Sequence, residues 1–249
     1  MFSYEGKAAP LFFWGHRGAP TLAVENTVTS FQKAFAMGLL GVEFDVQFSR
    51  DGIPFVFHDD DLDRLAHIHK TPSTLSWDEL QRIAIHDPKR PQLGEGKIPR
   101  LADVLEVVPT SRFINLELKH PGMLTEENLT RMLRLLEDYG VLQRTLVSSF
   151  QPQHLYRVKK VAPNMPLAVL WEGEPSTELI RQASQDLSPV MHVPVRWIEQ
   201  FEIRDWRLPT SAVAVWGLKN ADDVDRCLAA EVDAVFIDDP DWKEHVLPS

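Results

Sequence analysis

Short apolar runs rich in β-branched and aromatic residues recur along the chain, and most are followed by a segment with helical spacing. These runs have the length and composition of buried strands. They lie at residues 11–16, 41–48, 112–119, 144–150, 166–171, 188–194, 211–218 and 232–239. Strands that alternate with helices favour right-handed crossovers and a parallel sheet. Eight such units in about 250 residues are typical of a closed (β/α)8 barrel, the TIM-barrel fold.

Amphipathic segments separate several of these runs, and residues typical of helix ends mark their boundaries. The segments lie at residues 25–38, 125–140, 152–163, 174–184 and 220–231. We expect Thr125 and Asn220 to cap helix N-termini, because their side-chain oxygens can accept hydrogen bonds from free backbone N–H groups there. We expect Gly38 and Gly140 to end helices, since glycine readily takes the left-handed backbone conformation of a C-terminal cap.

The stretch from residue 51 to about 110 breaks the alternation of strands and helices. It begins with Asp51-Gly52, a turn signal that predicts a hairpin folding the next apolar run back onto the second strand. A charged, proline-rich passage follows, with one short helix indicated by the capping-box pattern of Ser76 and Glu79. A second short helix precedes the third barrel strand. We interpret this stretch as an insertion on the barrel rim between strands two and three.

The composition agrees with one globular domain and argues against some partners. The chain has 249 residues, of which 44% are hydrophobic and 25% are charged. These are ordinary values, so we expect residues 1–249 to form one barrel domain. The formal net charge of −10 disfavours nucleic acid or an anionic membrane surface as the main partner, because basic patches recognise both. No apolar run reaches the roughly 20 residues that a transmembrane helix needs.

Two features lead us to expect a cytoplasmic location. The chain has a single cysteine, Cys227, which excludes an internal disulfide and fits a reducing compartment. The N-terminal residues 1–16 contain only a short apolar run with no basic segment before it. We therefore do not expect a cleaved secretory signal.

Ionisable residues interrupt the apolar pattern on two predicted strands. Because side chains alternate along a strand, Glu43 and Asp45 share one face of the second strand. The same parity puts Asn115, Glu117 and Lys119 on one face of the third strand. In a barrel these faces point inward. Two neighbouring strands therefore bring three acids and a lysine to the barrel mouth, where the active sites of this fold lie.

The three acids raise the question of what compensates their charge. Carboxylates that share a partly dry site repel one another, and burial adds to this, so their pKa values would rise until some were protonated. A divalent cation would remove the conflict, and ligation by oxygen alone favours Mg²⁺ or Ca²⁺ over zinc. The alternative is an ion pair between Glu117 and Lys119, with two exposed acids near a strand end. The agreement of two strands favours the metal site.

Two histidines and an arginine supply further candidate chemistry. His16 and Arg17 lie between two glycines at the end of the first predicted strand, where the backbone can turn tightly beneath a ligand. A guanidinium can bind a phosphate through two hydrogen bonds, and an imidazole can transfer a proton near neutral pH. His58, followed by Asp59, ends the predicted hairpin. With Lys119 and a cation, these groups form a set that phosphodiester cleavage could use.

The barrel fold supports many chemistries, so other functions stay open at this point. Lys119 could form a Schiff base as in an aldolase, and Glu43 with Glu117 could form a glycosidase pair. Both leave the two histidines and Arg17 unexplained. A barrel that binds phosphodiesters without cleaving them is the non-enzyme alternative. Such a protein would be expected to lose an imidazole or an acid.

The order and spacing of several short motifs resemble the glycerophosphodiester phosphodiesterase family, a group of PI-PLC-like TIM-barrel phosphodiesterases. The similarity extends over about residues 11–240. Its motifs are HRGAP (16–20), ENT (25–27), GVEFDVQFSRDGIPFVFHDDDLDR (41–64), GEGKIPRLADVLE (94–106), NLELK (115–119), VSSF (147–150), VWGLKNADDVDR (215–226) and VDAVFIDDP (232–240).

The resemblance implies a (β/α)8 barrel with a small insertion after the second strand. The implied reaction splits a glycerophosphodiester, a small-molecule substrate, into glycerol 3-phosphate and an alcohol. The substrate's 2-hydroxyl would act as the nucleophile, and water would open the resulting cyclic phosphate. A related alternative is a lysophospholipase D-like activity on lysophospholipids. The implied site consists of the metal ligands Glu43, Asp45 and Glu117, the acid–base pair His16 and His58, and the phosphate ligands Arg17 and Lys119.

The sequence departs from the family pattern in its last two predicted strands. Gly217 stands where family members commonly have threonine, after Trp216 and before Asn220. Loss of that hydroxyl affects positioning near the strand, while Trp216 is expected to form an apolar pocket wall for the glycerol carbons. The eighth strand also lacks the usual glycines. Glu25 and Asn26 are expected either to brace the first loop and pocket by hydrogen bonds or to cap the first helix.

Overall fold

The computed structural model of the protein describes residues 11–119, 124–173, 177–188, 190–200 and 212–245. These residues contain a closed barrel of eight parallel strands with helices around it. The strands in chain order are β1 (Phe12–Gly15), β2 (Gly41–Phe48), β3 (Pro54–Val56), β4 (Ala84–His86), β5 (Glu95–Lys97), β6 (Phe113–Leu118), β7 (Thr145–Ser149), β8 (Leu167–Leu170), β9 (Val190–Pro194), β10 (Ala212–Trp216) and β11 (Ala234–Ile237). Strands β3, β4 and β5 belong to the insertion, and the other strands form the barrel.

Strand pairing closes the barrel. The order around it is β1, β2, β6, β7, β8, β9, β10 and β11, and β1 pairs in parallel with both β2 and β11. All eight predicted barrel strands are therefore confirmed. Pro189 and Ser211, which we assigned to the sixth and seventh strands, lie outside the described residues.

Nine helices in the described residues accompany the strands. They are α1 (Val28–Ala36), α2 (Asp63–Ala66), α3 (Trp77–Leu80), α4 (Leu101–Leu105), α5 (Glu126–Asp138), α6 (Pro152–Val161), α7 (Thr177–Asp186), α8 (Arg196–Gln200) and α9 (Ala221–Ala229). Short 3₁₀ helices occupy Pro72–Thr74, Pro91–Leu93, Leu142–Arg144 and Pro240–His245. The start of the predicted 174–184 segment lies outside the described residues. Within the parts of the chain that the structure describes, no helix has both the length and the apolar character to cross a membrane.

The predicted helix boundaries are confirmed by their local contacts. The side-chain oxygens of Thr125 and Asn220 each accept a hydrogen bond from the backbone N–H three residues later, both at 3.1 Å. Gly38 and Gly140 follow α1 and α5 with φ angles of +83° and +64°. Such angles strain residues that carry a Cβ, which explains why glycine stands at both helix ends.

The insertion lies between β2 and β6, as predicted. Strand β3 pairs antiparallel with β2, and Gly52 forms the turn between them with a φ of +74°. The hairpin and the two short helices, α3 and α4, are therefore confirmed. The pattern of apolar and polar residues in the sequence did not predict α2 or the β4–β5 pair. Both are too short for a periodic apolar signal, and the Glu95–Lys97 strand is largely exposed.

Two apolar layers support the barrel and leave its mouth free for polar groups. Outside the barrel, the outward faces of the strands pack on helices, and Phe44 meets Phe31 of α1 with ring centroids 5.5 Å apart. Inside the lower barrel, Trp14 is 3% exposed and lies 6.3 Å from the Phe236 ring. Each such burial contributes about 1.5–3 kcal/mol to stability relative to an exposed side chain. A Cβ on Gly41 would come within 2.5 Å of Trp14, so glycine makes room for the indole.

Candidate active site

Three buried acids meet at the carboxyl end of β2 and β6. The strand register puts Glu43 opposite Asn115 and Asp45 opposite Glu117. One carboxylate oxygen from each of Glu43, Asp45 and Glu117 lies within 4.8 Å of the others. The acids are 4%, 1% and 7% exposed, unlike the exposed acids of the alternative interpretation. The predicted convergence of the three carboxylates is therefore present, and it results from the period-two alternation of both strands.

The charges of the triad are poorly balanced by protein groups alone. Burial, followed by repulsion from Asp45, raises the pKa of Glu43 to about 8. Burial also raises the pKa of Glu117. The pKa of Asp45 is lowered, because the charges of His58, Arg17 and Lys119 outweigh the opposing effect of burial. Burial and mutual repulsion thus raise the pKa values of Glu43 and Glu117, while the pKa of Asp45 is lowered.

The triad fits a hard divalent cation. Its donors are carboxylate oxygens, which Mg²⁺ and Ca²⁺ prefer. Asp45 Oδ1 is buried and has no hydrogen-bond partner among the described residues. A cation bound here would engage this oxygen and relieve the repulsion that raises the pKa of Glu43.

Two basic side chains lie against the acids. Lys119 Nζ is 2.9 Å from Glu117 Oε1 and 3.7 Å from Asp45 Oδ1. The Glu117–Lys119 ion pair is thus present together with the acid cluster rather than in place of it. Arg17 Nε lies 3.6 Å from Asp45 Oδ2, and Arg17 Nη1 donates to Glu25 Oε1 at 2.7 Å. Both predicted phosphate ligands therefore lie beside the triad.

The loop after β1 holds Arg17 in an unusual backbone conformation. Its φ of +54° is in the left-handed region, which costs a non-glycine residue about 1–3 kcal/mol unless the surroundings impose it. Here the Arg17 N–H donates to Glu43 Oε2 at 2.9 Å, and the Arg17 carbonyl accepts from Ser30 Oγ and from the Asn26 N–H. Gly18 packs against Ser30, where a Cβ would clash at 2.4 Å. These contacts hold the Arg17 backbone in place and explain why glycine follows it.

Each candidate catalytic histidine has a carboxylate on the same ring nitrogen. His16 Nδ1 lies 2.7 Å from Asp238 Oδ1, and His58 Nδ1 lies 2.7 Å from Asp59 Oδ1. A carboxylate only accepts hydrogen bonds, so each Nδ1 carries a proton and Nε2 is the nitrogen available for proton transfer. Burial and Arg17 lower the pKa of His16, but the hydrogen bond to Asp238 and the charge of Glu43 outweigh them and raise it.

The residues Glu25 and Asn26 brace the site rather than cap α1. Asn26 Nδ2 donates to Asp45 Oδ2 at 2.7 Å, and Glu25 bridges Arg17 and Arg64. Thr27 caps the helix instead, since its hydroxyl accepts from the Ser30 N–H. The bracing interpretation is therefore confirmed, and the capping interpretation is wrong for both residues.

Two residues of the site were not predicted. Asp238 follows β11 and reaches His16 because β11 closes the barrel against β1. Asp238 is two residues after Phe236, whose side chain packs inside the barrel, so strand alternation could have indicated that Asp238 also faces inward. Arg64 lies in the unpredicted helix α2 and contacts both Glu25 and Asp59. This four-residue helix lies in the charged passage after the predicted hairpin, where no apolar periodicity indicates a helix, so the local pattern did not point to Arg64 as a site residue.

An aromatic surface lies beside Lys119 on the other side of the mouth. Trp216 at the end of β10 is partly buried and packs edge-on against Phe150, with ring centroids 5.6 Å apart. Lys119 Nζ lies 5.9 Å from the centroid of Phe150. Gly217 has a φ of +82°, so a threonine in this conformation would be strained. Glycine in place of the family's usual threonine therefore differs in backbone conformation as well as in the missing hydroxyl.

Comparisons with known proteins agree with this geometry. The model of the glycerophosphoryl diester phosphodiesterase family matches residues 16–242. A glycerophosphodiester phosphodiesterase of Caldanaerobacter subterraneus subsp. tengcongensis is 26% identical over 231 residues, which cover 91% of this chain and 93% of that protein.

Two solved structures are similar over nearly their whole length. One is an Oleispira antarctica phosphodiesterase in complex with the product sn-glycerol-3-phosphate. It is 26% identical, with a TM-score of 0.85, and the match covers 96% of this chain and 98% of that one. The other is a glycerophosphodiester phosphodiesterase from Thermotoga maritima. It is also 26% identical, with a TM-score of 0.74 and coverage of 93% and 96%.

Proposed function

The chain belongs to the glycerophosphoryl diester phosphodiesterase family and is a hydrolase of glycerophosphodiesters, and from this premise we propose how its site cleaves the substrate. His16 and His58 act as the acid–base pair, and Arg17 and Lys119 bind the phosphate. The products are glycerol 3-phosphate and an alcohol. The observation that carries the proposal is the pair of imidazoles, each hydrogen-bonded through Nδ1 to a carboxylate, beside the acid triad.

The histidines divide the proton transfers between them. One imidazole accepts the proton of the attacking hydroxyl through Nε2, and the other donates a proton to the leaving alcohol oxygen. Asp238 and Asp59 hold the two rings in the required tautomer and stabilise the imidazolium form. General acid–base catalysis of this kind typically contributes about 10²–10⁴-fold to the rate for each group.

The basic residues orient and neutralise the phosphate. The Arg17 guanidinium is fixed by Glu25 and by its own strained backbone, so it is held in place before substrate binds. Lys119 is held by Glu117. A non-bridging oxygen of the phosphodiester near both groups would add a negative charge that Arg17 and Lys119 can bind alongside those of Asp45 and Glu117.

Glu43, Asp45 and Glu117 would hold one divalent cation, either Mg²⁺ or Ca²⁺. When bound, the cation would supply positive charge to the phosphate oxygens as negative charge develops on them. The raised pKa of Glu43 implies that cation binding near neutral pH displaces a proton from the triad.

The nucleophile is the substrate's own 2-hydroxyl in this proposal, and a cyclic phosphate is opened by water in a second step. Paired histidines suit both steps, because the base of the first step can act as the acid of the second. Oxygen-18 tracing tests the route. A cyclic glycerophosphate should be detectable, whereas a covalent phosphoenzyme would contradict the route.

The site argues against the two other enzyme classes. A Schiff-base lysine needs a lowered pKa, but the charges of Asp45 and Glu117 outweigh burial and raise the pKa of Lys119. A glycosidase needs neither two histidines with carboxylate partners nor Arg17. A purely binding barrel does not need the acid–base pair.

One assay tests the proposed function. Purified protein is incubated with a panel of glycerophosphodiesters and lysophospholipids in Mg²⁺, Ca²⁺ or chelator, and the released alcohol and glycerol 3-phosphate are measured. We expect cation-dependent release from glycerophosphodiesters. Preferential release from lysophospholipids would support the lysophospholipase D-like alternative. No release from either class would contradict the proposal. The cytoplasmic location inferred from Cys227 stays a prediction.

A further inference from the structure

We propose that Arg64, on the insertion, is a positioning residue that holds His58 through Asp59 and Arg17 through Glu25. The inference rests on the proposed function, because it assigns Arg64 to the acid–base and phosphate-binding groups named there. It adds helix α2 of the insertion to the catalytic arrangement.

One guanidinium binds two carboxylates. Arg64 Nε donates to Asp59 Oδ2 at 2.6 Å, and Arg64 Nη2 donates to Asp59 Oδ1 at 2.9 Å. The same group donates to Glu25 through Nη1 at 2.9 Å and through Nη2 at 2.7 Å. Two-point contacts of this type fix the plane and the position of both partners, which a single hydrogen bond does not.

Each of the two carboxylates also contacts a side chain of the proposed active site. Asp59 Oδ1 contacts Arg64 Nη2 and also His58 Nδ1. Glu25 Oε1 likewise accepts from Arg64 Nη2 and from Arg17 Nη1, both at 2.7 Å. The side chains therefore form a continuous chain from an imidazole to a phosphate-binding guanidinium.

Packing within the insertion sets the position of Arg64. Helix α2 begins after Leu62, which is fully buried, and contains Leu65, which is 2% exposed. Both belong to a small apolar core formed by residues of the insertion, including β3, together with Val24. The Arg64 side chain is 38% exposed, so its alignment depends on its partners and on these two leucines rather than on burial of its own.

The two histidines differ in this respect. His58 and its carboxylate are tied to helix α2 by Arg64, whereas Asp238 makes no salt bridge to an arginine within the described ranges. A second function for Arg64 follows from charge. Without Arg64, Glu25 would keep Arg17 as its charged partner and Asp59 would keep only His58 among the described residues. The guanidinium therefore adds one positive charge beside the two carboxylates.

The experiment compares Arg64→Gln and Arg64→Lys with Arg100→Gln, a matched control. Arg100 lies on the same insertion, binds Asp103 by two-point contacts, and is 49% exposed. Hydrolysis of glycerophosphocholine is measured with saturating divalent cation. We expect Arg64→Gln to lower kcat/KM by about 10–100-fold, as is typical when a group supporting a catalytic residue is removed. Both kcat and KM should change, and Arg100→Gln should match the wild type.

The lysine variant and two double mutants separate positioning from charge or folding. An ammonium cannot bind both carboxylates in two-point fashion, so Arg64→Lys should recover only part of the activity. In an Asp59→Asn background, Arg64→Gln should have little further effect on kcat. In a Glu25→Gln background, it should have little further effect on KM.

The outcomes distinguish this inference from the proposed function. If the wild type and Arg100→Gln both fail to hydrolyse any glycerophosphodiester, the proposed function is wrong. If both are active and Arg64→Gln stays within about twofold in kcat and KM, the positioning role is wrong. Full recovery in Arg64→Lys, or additive losses in both double mutants, would also overturn it. If Arg64→Gln does not fold, Arg64→Lys and the Arg64→Lys/Asp59→Asn pair carry the same test.

Discussion

Two opposite walls of the barrel interior differ in how their polar groups are satisfied. On β2 and β6, Glu43, Asp45 and Glu117 are buried among hydrogen bonds and ion pairs. On β9 and β10, His192 and Trp216 are surrounded by aromatic and small apolar side chains, and their ring nitrogens have no partner among the described residues. We infer that the wall formed by β2 and β6 holds charged groups in fixed positions. The wall formed by β9 and β10 provides an apolar surface and a low local dielectric.

The contrast is sharpest between Glu43 and His192. Strands β2 and β9 lie opposite each other, four strands apart in either direction around the barrel. Both side chains are buried, and burial alone pushes each toward its neutral form. It lowers the pKa of His192 to about 3, and it is the largest cause that raises the pKa of Glu43. A cation can compensate Glu43, whereas His192 packs against Phe236 at 5.0 Å and stays neutral.

The largest expected effect comes from removing an imidazole from the charged side of the mouth. His16→Ala and His58→Ala should each lower kcat by about 10²–10⁴-fold, because each removes one of the two proposed proton-transfer groups. Steady-state kinetics checks the rates, and circular dichroism checks the fold. His192→Ala is not a suitable control because it opens a core cavity, so His69→Ala on the exposed surface serves instead. Near-normal turnover in either site variant would contradict the assigned roles.

A mutation in the acid triad should change the cation concentration needed for activity rather than the stability of the fold. Glu117→Gln keeps the side-chain shape but removes one of the three proposed carboxylate ligands, so half-maximal activity should require about 10–100-fold more divalent cation. Titration of activity and calorimetric cation binding measure this shift. Glu127→Gln, an exposed change on α5, should leave it unaltered. An unchanged cation requirement for Glu117→Gln would place the cation elsewhere.

The aromatic wall should affect substrate binding more than proton transfer. Trp216→Ala should raise KM for glycerophosphocholine by about tenfold, equivalent to about 1.4 kcal/mol of lost apolar contact, with a smaller change in kcat. Trp216→Phe should retain most of the affinity. A loss of kcat at unchanged KM would mean that Trp216 acts on the reacting groups rather than as a pocket wall.

The smallest effect concerns acid stability. The pKa of His192 is lowered in the folded protein, so the unfolded chain takes up a proton below pH 6.5 that the native state does not bind until about pH 3. Stability should therefore fall as pH decreases through this window, by up to about 1.4 kcal/mol per pH unit. Urea unfolding at pH 7.5 and pH 5.5 should show a smaller loss for His192→Phe than for the wild type. Equal losses would mean that His192 is protonated in the native state.

Much of the fold and of the charged wall could be predicted from local patterns. Alternation along residues 41–48 and 112–119 assigned Glu43, Asp45 and Glu117 to the inner face, and Asp51-Gly52 assigned the hairpin that returns His58. These features depend on neighbours two to ten residues away. The period of a strand and the geometry of a tight turn are properties of the local chain, so the sequence alone determines them.

The partners of the charged groups depend on the closed barrel. His16 and Asp238 are separated by 222 positions and meet only because β11 pairs with β1. Arg64 reaches Glu25, 39 positions away, from a four-residue helix that has no periodic signal. Register, closure and burial set these contacts and the pKa shifts that follow from them. The sequence by itself determined which residues face inward, and the tertiary structure decided which of them share a proton or a charge, because that depends on distances that no local pattern encodes.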